Sequence, residues 1–332
     1  MWQSLAREIS ILTQKNISQN KMKKHPKIVV FSGGISPERD VSIVSGKNVA
    51  QALSKNFETI SAVLEKNEIP QNLSPEDCVI YPAMHGDYGE NGTLQAQLDA
   101  AGFSYAGCGS LSSRICMVKP AAKALLRFAG IKVADSVDFD ASSKPDAEAL
   151  SKLFPNGAII KPADKGSSIG LEIAKTQREM SDALARINSG YWMVEDFRKG
   201  REFSVGVIYG KAAGIVEIKP EGGVYDFKRK YTAGSTVYEF PANISETARS
   251  AICAAAENAY NACGCRDFCR VDFIMTDESA PDFIVLEINT LPGMTPTSLL
   301  PKSASCIGLD FESLCAKLME GSIKRFNEKK RC

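Results

Sequence analysis

The sequence predicts an α/β N-terminal domain followed by α+β domains, three domains in all. Three observations lead there. Residues 27–31, KIVVF, form an apolar run that stops at Gly33-Gly34, and a helical pattern and two more apolar runs follow. Strand, glycine turn, helix, strand is the order of a parallel βα unit. From about residue 158 short apolar runs succeed one another, the pattern of an antiparallel sheet with a few helices. At 332 residues the chain is long enough for two or three compact cores.

Composition narrows the function classes. With 44% hydrophobic and 24% charged residues the chain is globular, not disordered. Forty Lys and Arg oppose thirty-nine Asp and Glu, a net charge of +1. That balance gives no electrostatic reason to expect nucleic acid or an anionic membrane as partner. No apolar run approaches the roughly 18 residues of a membrane helix. Residues 1–26 lack the continuous apolar region of a signal peptide. They read as an N-terminal extension, and the expected address is the cytoplasm. Ten cysteines are then expected to be reduced. With only His25 and His85, a His-rich zinc site has too few ligands.

Along the chain, Val41, Val44, Val49, Ala52 and Leu53 recur at near-helical spacing, in a helix opening at Ser36 or Pro37. The glycine turn before it is not G-x-G-x-x-G, so the dinucleotide fingerprint is absent. Residues 60–64 and 78–82 are predicted strands. Helices are expected over 93–101, stopping at Gly102, and 119–129, stopping at Gly130. The polar stretch 138–152 suits a surface helix or linker. Strands follow at 158–161, 171–174, 193–197, 202–209 and 212–218. An alanine-rich helix spans 245–262, and strands at 270–275 and 283–289 close the pattern. Domains are therefore expected at 27–117, 118–205 and 206–325.

The last two strands carry the strongest chemistry. Arg270 and Asp272 share one strand face, as do Glu287 and Asn289. A hairpin symmetric about Ser279 and Ala280 sets 272 opposite 287 and 270 opposite 289. Two facing carboxylates with an amide suit Mg²⁺, which takes phosphate oxygens as its other ligands. The plainer alternative is a solvated face with an Arg–Asp pair. The apolar Val271, Phe273, Ile284, Leu286 and Ile288 favour buried strands and hence the metal.

Other segments read two ways. In KPADKGSSIG, 161–170, two glycines flank Ser167 and Ser168; the loop reads as a phosphate cradle or as an ordinary turn. It is not a Walker A loop. Lys161 at its start can reach a phosphate or remain a surface charge. Glu195 and Glu202 can bind an adenosine or simply flank a charged turn. Gly293 permits close backbone approach to an oxyanion. Thr297 and Ser298 can cap a helix or hold a carboxylate. Lys228–Tyr231 lie in a glycine-flanked loop, either a basic surface loop or a lid over phosphates. Cys263, Cys265 and Cys269 have no nearby fourth ligand; metal binding is the minor reading, and small side chains packing at a helix end the favoured one.

Taken together, the set resembles the D-alanine–D-alanine ligases of the ATP-grasp family. The matching pieces are GGISPERDVS (33–42), HGDYGENGTLQ (85–95), KPADKGSSIG (161–170), GREFSV (200–205), VYDFKRKY (224–231), RVDF (270–273) and EINTLPGMTPTSL (287–299). The resemblance implies the three-domain ATP-grasp architecture, with ATP between the second and third domains and a lid loop at 220–236. It implies that ATP phosphorylates one D-alanine carboxylate and that a second D-alanine amine attacks the acyl phosphate. This reaction supplies a peptidoglycan precursor.

By the same resemblance, Glu38 holds the first ammonium and His85 sits near its carboxylate. Ser167 and Tyr231 bond with Glu38. Lys119, Lys161, Ser168 and Lys230 contact ATP phosphates, and Glu195, Phe197 and Glu202 surround the adenosine. Asp272, Glu287 and Asn289 bind two Mg²⁺ (or Mn²⁺). Arg270 and the Gly293 N–H stabilise the tetrahedral intermediate, and Ser298 receives the second carboxylate. A homodimer is expected. Three positions depart from the family: Val118, before Lys119 and Pro120, where Asp is usual; Arg198, where an apolar residue is usual; and Asn91 for Asp. A D-alanyl-D-lactate ligase, another carboxylate–amine ligase, and a nucleotide-binding homologue without catalysis are the alternatives. Tyr231, usually lacking in the depsipeptide ligases, favours D-alanine as second substrate.

Overall fold

The computed structural model describes residues 26–166, 170–220, 236–279 and 281–331. Ser167, Ser168, Lys230 and Tyr231 therefore lie outside the described residues, as does most of the 220–236 loop.

Four strands, β1 (Lys27–Gly33), β2 (Thr59–Leu64), β3 (Cys78–Pro82) and β4 (Ser104–Tyr105), form a parallel sheet in the order β2-β1-β3-β4. β1 beyond its exposed first residue Lys27, and all of β3, are buried on both faces, as parallel strands require. One face packs Val29, Phe31 and Ile80 on Leu94 and Leu98 of the helix Thr93–Ala100. The other packs Val30, Val79 and Tyr81 on the helix Arg39–Leu53 and, from the far end of the chain, on Leu314, Leu318 and Met319 of the helix Phe311–Lys329.

The first helix opens at Arg39 rather than at Ser36 or Pro37. Ser36 is held in the preceding turn, where its hydroxyl accepts from Glu38 N (3.1 Å) and donates to His85 O (2.8 Å).

A second, antiparallel sheet follows. It comprises β5 (Ser136–Asp140), β6 (Ala158–Pro162), β7 (Glu172–Ala174) and β8 (Tyr191–Asp196), ordered β5-β8-β6-β7. The polar stretch read as a surface helix or linker splits instead into β5 and the helix Ala147–Leu153, because Phe139 and Leu150 turn into this sheet's core. The helix Gln177–Arg186 covers the sheet and starts with a capping box between Thr176 and Glu179.

The third sheet is antiparallel, in the order β11-β10-β9-β12-β13. Its strands are β9 (Arg201–Ile208), β10 (Lys211–Pro220), β11 (Thr236–Glu239), β12 (Phe268–Asp277) and β13 (Asp282–Asn289). The expected 205/206 boundary falls within β9, a central strand. The alanine-rich helix Glu246–Ala262, capped by Ser245, lays Ile252, Ala256 and Ala259 on Phe203, Val205, Val271 and Phe273. Leu126 of the helix Lys119–Phe128 joins the same core.

Candidate active site

The hairpin β12–β13 pairs Asp272 with Glu287 and Arg270 with Asn289, the register that its sequence symmetry predicts. Two irregularities lie between this end and the turn and offset one another, so the pairing near the site is preserved. Four polar groups thus meet at the sheet end. The Arg270 fork holds Asp272, with Nε–Oδ1 at 2.9 Å and Nη2–Oδ2 at 2.8 Å. Ser204, opposite Asp272 on β9, donates to its Oδ1 at 2.6 Å. This pair is buried, unlike the solvated Arg–Asp pair of the plainer reading.

A cavity of about 770 Å³ opens over this hairpin. Glu38, His85, Lys119, Arg270, Glu287, Asn289, Gly293 and Ser298 all line it. They come from all parts of the chain: the turn after β1, the turn after β3, a helix N-terminus, and the strands and exit loop of the hairpin. Lys161, Glu195, Phe197, Glu202 and Asp272 are not among its lining residues. Lys161 sits beside Glu195 instead, and Phe197 lies under the Lys175 ammonium, 5.9 Å from ring centre to Nζ.

His85 is fixed from both sides. Its Nε2 lies 2.9 Å from Ser45 Oγ and its Nδ1 3.3 Å from Glu90 Oε1. Burial pushes the Glu90 carboxyl up from its ordinary value, against the opposing effect of His85. Ser45 also accepts from Met294 N at 3.4 Å, tying His85 to the 291–299 segment. Neither Ser45 nor Glu90 was singled out from the sequence. Glu90 lies within the matched 85–95 motif; Ser45 is an ordinary helix serine until its neighbours are known. Gly89 has no room for a side chain, since a Cβ there would lie 1.7 Å from Met84 O.

Ser298 is the N-cap position of the helix Leu299–Ser305, and its hydroxyl accepts from Thr295 N (3.0 Å) and meets Thr295 Oγ1 (2.8 Å). A Cβ on Gly293 would lie 3.1 Å from Ser298 Oγ, so glycine lets this loop close on itself.

Lys119 opens its helix. Its N–H donates to Ala163 O at 2.8 Å and its ammonium bonds Lys165 O. Burial pushes the Lys119 ammonium below its ordinary pKa, while nearby Glu287 pulls the other way. Pro120 is tolerated because it lies in the first turn, where an amide N–H has no helical acceptor. Val118 at the N-cap offers no side-chain acceptor, and no capping bond forms. Asn91 accepts from Thr93 N at 2.9 Å, a role an Asp would fill equally. Arg198 pairs with Asp196 at 2.7 Å near the surface.

Glu195 was read from sequence as an adenosine contact or a charged turn; it is buried at the centre of a three-charge cluster. Lys123 Nζ bonds its Oε2 at 2.5 Å and Lys161 bonds its Oε1. Burial opposes ionisation of Glu195, but the Lys161 and Lys123 ammoniums outweigh it and hold the carboxyl at about 2. Lys123 went unnoticed in the sequence, where it is one helix lysine among several.

Comparison with known proteins shows which family this chain resembles. The family described as D-ala D-ala ligase C-terminus matches residues 125–320. A D-alanine–D-alanine ligase of Anaeromyxobacter sp. (strain Fw109-5) is 38% identical over 299 residues, covering 89% of this chain and 96% of that protein. The D-alanine–D-alanine ligase of Bacillus anthracis complexed with ATP superposes with a TM-score of 0.79 at 30% identity, covering 92% of this chain and 99% of its own. The VanG D-Ala:D-Ser ligase of Enterococcus faecalis gives 0.76 at 28% identity, covering 90% and 99%. By sequence, fold and the motifs that line its cavity, the chain belongs to the D-alanine–D-alanine ligase family.

Proposed function

We propose that the chain is an ADP-forming ligase that joins two D-alanines to D-alanyl-D-alanine at the expense of ATP, in the cytoplasm, for peptidoglycan precursor synthesis. The observation that carries this reading is the cavity where an acidic residue, a fixed histidine, a buried lysine, a paired arginine and the carboxylate–amide hairpin face one another.

A carboxylate is a poor electrophile, and phosphorylation gives it a good leaving group. The protein's task is then positioning and charge stabilisation. Glu38 would bind the first ammonium, with His85 oriented by Ser45 and Glu90 beside its carboxylate. Lys119 would neutralise a phosphate oxygen; its buried, paired setting keeps water away. Arg270, held by Asp272, and the Gly293 N–H would receive the oxyanion formed when the second amine attacks. Ser298 would hold the second carboxylate. Lys161 and Glu195, with Phe197 and Glu202, would bound the nucleotide. Ser167, Ser168, Lys230 and Tyr231 complete the proposed set from outside the described residues.

Asp272, Glu287 and Asn289 fit Mg²⁺ by donor chemistry: two carboxylates and an amide oxygen on facing strands, all hard oxygens. Among the described residues no group of three His, Cys, Asp or Glu is arranged to hold a metal alone. A Mg²⁺ ion there would offset charge on the transferring phosphoryl group. The proposed assembly is a homodimer. Among the described residues no helix is long and apolar enough to cross a membrane.

The test is ADP release with Mg-ATP and D-alanine, with L-alanine, D-serine and D-alanine plus D-lactate in parallel. Dipeptide from D-alanine alone supports the proposal; ADP release only with D-lactate moves the chain to the depsipeptide ligases. Glu287→Ala should abolish ADP release, and near-normal turnover by that variant refutes the metal assignment.

A further inference from the structure

Five cysteines meet behind the cavity wall. Cys263 ends the helix Glu246–Ala262, Cys265 follows in the turn, and Cys269 lies in β12 next to Arg270. The other two come from far away in sequence. Cys108 lies just before the helix Ser110–Met117, and Cys116 is in its last turn and lines the cavity. Cys108 Sγ lies 3.5 Å from both N and O of Arg266 and 3.4 Å from Phe268 O, so it rests on the 265–268 turn. Cys108, Cys116, Cys263 and Cys269 are buried in one core, and Cys265 packs half-buried at its edge. Cys108 Sγ thus lies against the backbone next to Cys265, whose thiol is near those of Cys116 and Cys269 as well.

Sequence spacing alone gave 263, 265 and 269 no fourth partner; the fold supplies two. The cluster is not arranged to hold a metal, since among the described residues no metal-ligating group forms. Its distinguishing feature is one half-buried sulfur surrounded by three thiols. The neighbouring thiols of Cys108, then Cys116 and Cys269, draw the Cys265 thiol below its ordinary value. The thiolate is the form that reacts with peroxide.

We infer that Cys265 is a peroxide-reactive thiol that closes a reversible disulfide with Cys108 or Cys116. The Cys265 thiolate attacks one oxygen of hydrogen peroxide, the O–O bond breaks, and the departing hydroxide takes a proton to leave as water. The resulting sulfenic acid is attacked by the thiol of Cys108 or Cys116. The S–O bond breaks, the S–S bond forms, and a second water leaves. Two thiols lose two electrons in total and one peroxide is reduced to two waters. The bond ties the 108–116 segment, which ends on the cavity wall, to the turn that leads into the Arg270 strand.

The test uses the full chain, reduced and then treated with hydrogen peroxide, alkylated and mapped by mass spectrometry without reduction. A peptide pair linking Cys265 to Cys108 or Cys116 is expected, with loss of two hydrogens and reversal by dithiothreitol. In Cys265→Ser the cross-link should vanish. In the double variant Cys108→Ser/Cys116→Ser the Cys265 sulfenic acid should persist and be captured by dimedone. Cross-links confined to Cys253, Cys306 or other cysteines overturn the inference. So does a Cys265 that still alkylates as a free thiol after the other cysteines have oxidised, or dimedone on any cysteine but Cys265.

Discussion

Replacing Lys123 by Met should weaken the second sheet and change how the protein responds to acid. Lys123 belongs to the buried cluster centred on Glu195, with its ammonium 2.5 Å from Glu195 Oε2 and 3.0 Å from Ala134 O. Together with Lys161 it holds the Glu195 carboxyl at about 2, against an ordinary 4.5. At ~1.4 kcal/mol per unit, that gap corresponds to about 3 kcal/mol of folding stability. Because the folded value is depressed, this stability is fully present above pH 4.5 and is lost as pH falls from 4.5 towards 2. Lys123→Met keeps the chain length but leaves one ammonium to offset the whole burial penalty. Breaking a buried ion pair costs about 3–5 kcal/mol, and the surviving Lys161 contact puts this variant near the lower figure. The Glu195 carboxyl should also take up its proton at higher pH, so the acid-induced loss of stability begins earlier. The assay is urea denaturation at several pH values between 7 and 3.5. Trp192 in β8, three residues from Glu195, serves as the fluorescent reporter in a Trp2→Phe background. Equal midpoints for parent and variant at neutral pH, with parallel loss in acid, would show that the cluster does not stabilise the sheet and refute the argument.

Two further substitutions probe how the parts are held together. Asp267 is buried and accepts from Arg325 at 2.9 and 2.6 Å and from Gly107 N at 3.0 Å, joining the last helix, the segment after β4 and the start of β12. Asp267→Ala should cost about 3–5 kcal/mol, read as a lower melting temperature, because it strands a partly buried guanidinium. An unchanged melting temperature would contradict it. Gly89→Ala places a Cβ against Met84 O and must move the short helix that carries Glu90 away from His85. Displacement of about 1 Å at such a site can reduce turnover on the order of 100-fold. Turnover on D-alanine within twofold of the parent would show that His85 does not depend on this packing.

Legibility followed locality. Continuous apolar strands such as 27–31 and 78–82 were readable because their burial is written in consecutive residues. Segment 136–140 was not, since Ser, Asp and Asp dilute it and only Phe139 is fully buried, with Val137 at the core's edge. The helix Phe311–Lys329 carries Leu314, Leu318 and Phe326 at helical spacing, yet nothing in the sequence says that it packs on the first sheet rather than the third. The hairpin register near the site was legible because a short polar connection fixes which residues face each other. The setting of His85 was not, because Ser45 reaches it, and Met294 N reaches Ser45, only after three segments fold together.

The sequence by itself determined the family, the α/β-then-α+β order and the residue types available for phosphate, ammonium and metal chemistry, since these depend on motif order and local pattern. Only the tertiary structure decided which charges are buried together. Glu195 between two lysines, Arg325 clasping Asp267, and Cys108 and Cys116 against Cys265 each pair residues from separate elements. The energy of a charge or thiol depends on its neighbours in space and on its distance from water, and neither can be read along the chain.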